Sequence, residues 1–125
     1  MGEQRTALIL LLILFSLLFS VPEIGIVKSE SKTIIVPDDY STIQDAIGNA
    51  AEGDTVFVKN GVYRVDENTS IVISKTLSLI GEDPANTMIR GAFSMHPEND
   101  VAIRLAAPNI TISGFTITNC RVAIA

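Results

Sequence analysis

The sequence has very few of the side chains that carry chemistry or cross-link a chain. Its 125 residues include one cysteine, one histidine and no tryptophan. The single cysteine, Cys120, excludes an internal disulfide framework, so the folded part must be held together by packing. Nine basic residues against 14 acidic ones give a formal net charge of −5, which argues against a nucleic-acid-binding surface. The length limits the chain to one domain.

The N-terminal segment has the layout of a secretory signal. Arg5 is followed by an apolar run from Ala7 to Phe19, which is shorter than the roughly 20 residues needed to span a bilayer. We predict a signal peptide over residues 1–29, with an uncleaved membrane anchor as the alternative. The folded domain is then expected over residues 30–125, in a secreted or cell-surface protein.

Beyond this leader, short apolar strand triplets recur at intervals of about 21 residues. The triplet Val56 to Val58 matches Leu77 to Leu79, and the triplet at residues 101–103 matches residues 122–124. The predicted fold class is all-β: a right-handed parallel β-helix (solenoid) with one N-terminal capping α-helix, truncated at Ala125. An antiparallel sandwich, which also has many short strands, is the alternative.

One segment, at about residues 41–51, is predicted to be helical. Ser41 and Gln44 have the spacing of a capping box. Apolar side chains follow on one face, and Gly53 is placed where a left-handed residue would end the helix. Because so short a helix is unstable alone in water, we expect it to dock on the opening turn of strands and cover its edge.

Two segments carry a family resemblance. Ile34 to Val65 (IIVPDDYSTIQDAIGNAAEGDTVFVKNGVYRV), followed by Leu77 to Gly81, resembles the N-terminal cap and first coil of the pectin-lyase-like right-handed parallel β-helix superfamily. It is similar to pectin methylesterases and to exported microbial β-helix repeat proteins. Asn109 to Cys120 resembles one repeat of those surface proteins. The resemblance implies a fold and no single activity, because the same cap precedes enzymes and non-enzymes.

No combination of residues predicts a catalytic, cofactor or metal site. The family's esterases and lyases imply paired aspartates, an arginine and often calcium on later coils, and no position here matches them. The acidic pairs at 38–39, 66–67 and 82–83 fall in turns, where solvated carboxylates are expected. His96 lies in a loop without a second ligand at metal spacing, so it is expected to be a surface residue.

Several other side chains allow more than one interpretation, or are expected at the surface or in the core. Asn68 and Asn109 begin N-glycosylation sequons, which also arise by chance. Tyr63 and Phe115 are candidates for stacking on a sugar ring, with a position in the core as the alternative. Cys120 is expected to be a buried, inert thiol. Four arginines are expected to be surface charges along one outer face: Arg64, Arg90, Arg104 and Arg121.

The predicted function is that of an exported or cell-surface repeat protein, a scaffold or a carbohydrate- or protein-binding module without a catalytic site in this chain. The alternative is the N-terminal portion of a polysaccharide-modifying enzyme, of pectinesterase or pectate-lyase type, whose active coils lie beyond Ala125. A metal-delivery factor is the weakest alternative, because His, Cys and Met are scarce. No cofactor is expected. The expected partners are polysaccharides or surface proteins. Contact with a membrane is expected only through an uncleaved leader, and self-association is expected through the uncovered C-terminal end.

Overall fold

The structure is a computed structural model that describes residues 2–18, 25–26, 28–66, 69–92 and 101–124. The helices are α1 (Gly2–Leu18) and α2 (Ile43–Asn49). The strands are β1 (Thr33–Val36), β2 (Thr55–Val58), β3 (Gly61–Val65), β4 (Ile71–Ile73), β5 (Ser78–Gly81), β6 (Thr87–Gly91), β7 (Val101–Leu105), β8 (Thr111–Ser113), β9 (Thr116–Thr118) and β10 (Arg121–Ile124).

Within the ranges just given, the ten strands form three short sheets in which every pairing is parallel. The first sheet has the order β1-β2-β5-β8, the second β3-β6-β9 and the third β4-β7-β10. Strands that follow one another in sequence mostly belong to different sheets. Neighbours within a sheet therefore come from segments far apart in the chain, as parallel pairing requires.

The predicted fold class is wrong. Instead of an all-β right-handed parallel β-helix with one helix, the residues that the structure describes form two helices and three short parallel sheets, a mixed α/β content. The prediction counted strand triplets and set the N-terminal segment aside. That segment, however, forms the longest element of the described residues, a helix of 17 residues, because leucine and alanine favour helix over strand.

The strand register differs from the predicted repeat by two residues in two places. Val56 pairs with Leu79 rather than Leu77, and Val122 pairs with Ile103 rather than Val101. A shift of two leaves every side chain on the same face of a strand, so the apolar pattern could not reveal it. Residues 78–80 pair with residues 111–113.

Helix α2 is capped differently from the prediction. The N-cap is Thr42, not Ser41, and its hydroxyl accepts the backbone N–H of Asp45 at 3.1 Å. Gln44 does not cap the helix, because its side-chain oxygen accepts the backbone N–H of Val72 at 2.8 Å. Gly53 does have a left-handed backbone, with φ of 86°, but it lies in a turn after the helix has ended.

The core lies between the inward faces of the three sheets. Alternate side chains along β2, β4, β5 and β6 are buried, and α2 packs three further apolar side chains against them. The largest buried side chains are Ile73, Leu77, Leu79, Ile89 and Ile103. Burying each of these contributes roughly 1.5 to 3 kcal/mol, which is how a chain without disulfides holds so many short strands together.

Helix α1 is apolar on all sides and stands exposed. Its side chains from Leu8 to Phe15 are 52–67% accessible to solvent. Within the ranges given above, no helix is both long enough and apolar enough to cross a membrane.

Candidate ligand-binding face

The outer face of the first sheet carries a row of four hydroxyl side chains, one from each strand. Parallel pairing places Thr33 beside Thr55, Thr55 beside Ser78, and Ser78 beside Thr111. Neighbouring strands lie about 4.8 Å apart, so the hydroxyls repeat at that interval. In the described part of the chain, none of these four hydroxyls is hydrogen-bonded to another residue. We call them the hydroxyl row.

Two positions further along β1, β2 and β5, the same face is apolar, while the equivalent position on β8 is Ser113. Ile35, Phe57 and Ile80 are in register on β1, β2 and β5, and each is half-buried. They point outward because the residues on either side of Phe57, Val56 and Val58, are fully buried. We call Ile35, Phe57 and Ile80 the apolar row.

A charged cluster follows where the strands of this sheet end. The Lys59 ammonium forms a salt bridge with Asp38, and this hydrogen bond raises the pKa of Lys59, with Glu82 adding a smaller effect. Glu82 in turn accepts the backbone N–H of Asn60 at 2.8 Å. The cluster is therefore already paired internally, which leaves the hydroxyl and apolar rows as the open part of the face.

This combination suits a particular kind of ligand. Each hydroxyl is both a donor and an acceptor, and the ring face of Phe57 offers a flat apolar contact. A polymer with regularly spaced hydroxyls and apolar C–H faces would match both rows along its length. A polysaccharide chain has these features.

The acidic turn residues are mostly exposed, and some of them also accept hydrogen bonds from backbone groups of their own turn. Asp39 accepts the backbone N–H of Ile35 at 2.7 Å, and Asp83 accepts that of Ala85 at 3.0 Å. The aspartate side chain is short, so in a turn its carboxylate lies close enough to accept a hydrogen bond from a nearby backbone N–H group. Asp66 is exposed, while its neighbour at position 67 lies outside the described residues. Within the described residues, no three His, Cys, Asp or Glu side chains group so as to hold a metal ion.

Sequence reasoning missed Asp54, the one acidic side chain that the structure buries in its described part. Its two carboxylate oxygens accept the backbone N–H groups of Lys32 and Ala51, each at 2.8 Å. These hydrogen bonds hold the pKa of Asp54 below its ordinary value. The Gly53–Asp54 dipeptide after a helix was the available signal for such a turn.

The two aromatic candidates for sugar stacking lie against the core. Tyr63 is half-buried, donates its hydroxyl to the Lys59 carbonyl at 2.8 Å, and has a raised pKa because of that burial. Phe115 is half-buried and packs on the core cluster. Cys120, expected to be buried, is also only half-buried. Phe57 is likewise half-buried but is not packed against the core cluster, so its outward ring is the better candidate for stacking, and the sequence did not single it out.

The remaining candidates are placed as follows. Asn109 is exposed and has a left-handed backbone, with φ of 53°, so its sequon is accessible. His96 and Asn68 lie outside the described residues. The four arginines do not share one face: Arg64 and Arg90 lie on the second sheet, and the other two, at 104 and 121, on the third.

Comparisons with known proteins found no matching family model, no similar protein of curated function and no similar solved structure. The resemblance of Ile34 to Val65 to pectin-lyase-like proteins therefore stays a prediction from the sequence.

Proposed function

We propose that this chain is an exported, surface-acting binding module that takes an extended polysaccharide along the outer face of the first sheet. The observation that carries the proposal is the hydroxyl row running beside the apolar row, in register over consecutive strands. The four hydroxyls have no partner within the described residues, so a ligand would gain hydrogen bonds without breaking any inside the protein.

The expected contacts divide between the two rows. A sugar ring covers Phe57 and its aliphatic neighbours, and hydroxyls of the ligand exchange hydrogen bonds with Thr55 and Ser78 in the middle of the row. Each neutral hydrogen bond is worth about 0.5 to 1.5 kcal/mol net, so affinity depends on several strands acting together. Long chains are therefore expected to bind much more tightly than mono- or disaccharides.

The test is a binding screen against a panel of neutral and acidic polysaccharides, by co-sedimentation and calorimetry. Phe57→Ala and the double variant Thr55→Val, Ser78→Ala are expected to weaken binding at least about tenfold. The matched control is Val62→Ala, since Val62 is 57% exposed on the second sheet, away from both rows. Melting temperatures must stay close to wild type, so that lost binding is not lost folding. Equal binding by all three variants would exclude this face as the site.

Export is a separate part of the proposal, supported by the apolar leader. In a secreting host, the mature protein is expected to begin after Ser29 or Ser31, which N-terminal sequencing or intact mass would show. Replacing Leu11 and Leu12 by Asp should retain the whole chain inside the cell. Secretion of the doubly charged variant would contradict a leader function for this helix.

A further inference from the structure

The second sheet places two arginines side by side on its outer face. Arg64 on β3 and Arg90 on β6 are direct register partners in a parallel pair, and both side chains are exposed. Their backbones are therefore separated by one strand spacing, about 4.8 Å. The row continues on β9 with Thr118, the register partner of Arg90.

Such a pair is unfavourable by itself. Like charges directly opposite one another on neighbouring strands destabilise a sheet. The only salt bridge in the described ranges joins Lys59 to Asp38, so neither Arg64 nor Arg90 is neutralised by a carboxylate there. An anion placed between the two guanidinium groups would turn this repulsion into attraction.

A cavity of about 290 Å³ lies at this position, large enough for a small anion. Both arginines line it, together with Asp66, Gly91 and Asn119. Gly91 packs tightly against the strand above: a Cβ at this position would come within 3.0 Å of the Asn119 carbonyl oxygen and of the Cys120 side chain. This close approach fixes Asn119 at the edge of the cavity, where its side-chain amide is a third potential donor.

We infer that Arg64 and Arg90 form a binding site for a tetrahedral oxyanion, a sulfate or phosphate ester group. A guanidinium offers a planar fork of N–H donors that binds oxyanions in bidentate fashion. Two guanidinium groups together offer more N–H donors than the two oxygens of a single carboxylate suit, whereas a sulfate or phosphate ester presents three terminal oxygens as acceptors. Asp66 at the rim disfavours bulky polyanions and favours one compact group. This site is independent of the proposed polysaccharide face, which lies on another sheet.

The repulsion between the arginines gives the test a distinctive signature. Without an added anion, Arg90→Gln is expected to melt at the same temperature as wild type or higher, because a like-charge contact is removed. On addition of inorganic phosphate or sulfate, wild type should gain a few degrees, while Arg64→Gln and Arg90→Gln should gain much less. The control is Arg104→Gln, which removes an exposed arginine of the third sheet and should respond as wild type does.

The control also separates a site from a general salt effect, since sulfate and phosphate stabilise folded proteins by exclusion from their surface. Calorimetry on the full chain in a non-ionic detergent, at constant ionic strength, then compares inorganic phosphate, inorganic sulfate, acetate and chloride. We expect binding of the first two only, weakened at least about tenfold by either variant. A sulfated and a phosphorylated oligosaccharide are then compared, to determine whether the bound oxyanion is a sulfate ester or a phosphate ester. An equal stabilisation of all four proteins, or acetate binding as tightly as sulfate, would overturn the inference.

Discussion

Gly81 and Gly114 touch where the strands β5 and β8 end. A Cβ built on Gly81 would lie within 3.0 Å of the Gly114 carbonyl, and one built on Gly114 would clash in the same way with the Gly81 carbonyl. The obstacle is backbone in both cases, so it cannot move aside as a side chain can. Gly114 also has a φ of 77°, which disfavours any side chain. The absence of two Cβ atoms is thus what lets these strands approach and Phe115 pack beside them.

Gly81→Ala is expected to destabilise the protein by about 1 to 3 kcal/mol, because the added methyl group forces two backbones apart. The measurement is urea unfolding monitored by circular dichroism. Gly48→Ala is the matched control: Gly48 lies within α2 with nothing within 4 Å of a new Cβ. That variant is expected to gain up to about 1 kcal/mol from helix propensity. Similar stabilities for the two variants would show that the glycine contact is not needed.

Asp54→Asn is expected to lower the melting temperature at neutral pH and to reduce its dependence on acid. The folded-state pKa of Asp54 is lowered by the amides of Lys32 and Ala51. The carboxylate therefore stabilises the fold fully above its ordinary pKa, and this contribution is lost as the pH falls below about 4. The difference in melting temperature between wild type and variant should shrink over that range. Glu30→Gln, at an exposed position, is the control, and a difference that stays constant from pH 7 to pH 2 would contradict the assignment.

The sequence predicted the strands better than their partners, for a physical reason. The alternation of apolar and polar residues shows which side chains of Val56 to Val58 are buried, because the face of a strand on which a side chain lies depends only on the two-residue repeat of that strand. It cannot distinguish Leu77 from Leu79 as the partner of Val56, because both lie on the same face of the chain. The fold class was wrong for a different reason, since the N-terminal segment was excluded from the count although it is helical.

The candidate sites were harder to predict because they arise from pairing between distant segments. Thr33, Thr55, Ser78 and Thr111 are unremarkable as separate residues, and only the parallel register makes them a row. Arg64 and Arg90 were recognised as strand residues, but their contact depends on the pairing of β3 with β6. The cap of α2 was misplaced by one residue because Ser41 and Thr42 are both good N-caps, and only the backbone decides between them.

Lys75→Met is expected to destabilise the protein by about 1 kcal/mol and to loosen α2. The Lys75 ammonium donates to the carbonyls of Ile47, Gly48 and Ala50 at 3.3, 3.0 and 2.6 Å. The Ile47 carbonyl also accepts the backbone N–H of Ala50 at 3.2 Å. The last carbonyls of a helix nevertheless lack their full set of helical partners, so removing the Lys75 donor leaves this end of α2 less well satisfied. Hydrogen exchange should speed up at the α2 amides more than in the sheets. Lys28→Met, in the exposed segment before β1, should leave both properties unchanged.

Self-association is expected through strand β10, because its apolar side chains extend two core rows without being covered. Val122 is 48% exposed and Ile124 is 82% exposed, although both are register partners of core-facing residues on β7. A second copy that covers them would recover part of the roughly 1.5 to 3 kcal/mol available per buried side chain. With residues 1–29 removed, to exclude association through α1, sedimentation should show concentration-dependent oligomers. Ile124→Glu should shift these oligomers to monomer. Val62→Glu, which also replaces an exposed apolar residue by a charged one but lies on the second sheet, should not. A wild-type monomer at all concentrations, or identical behaviour of the two variants, would show that this edge is not a contact surface.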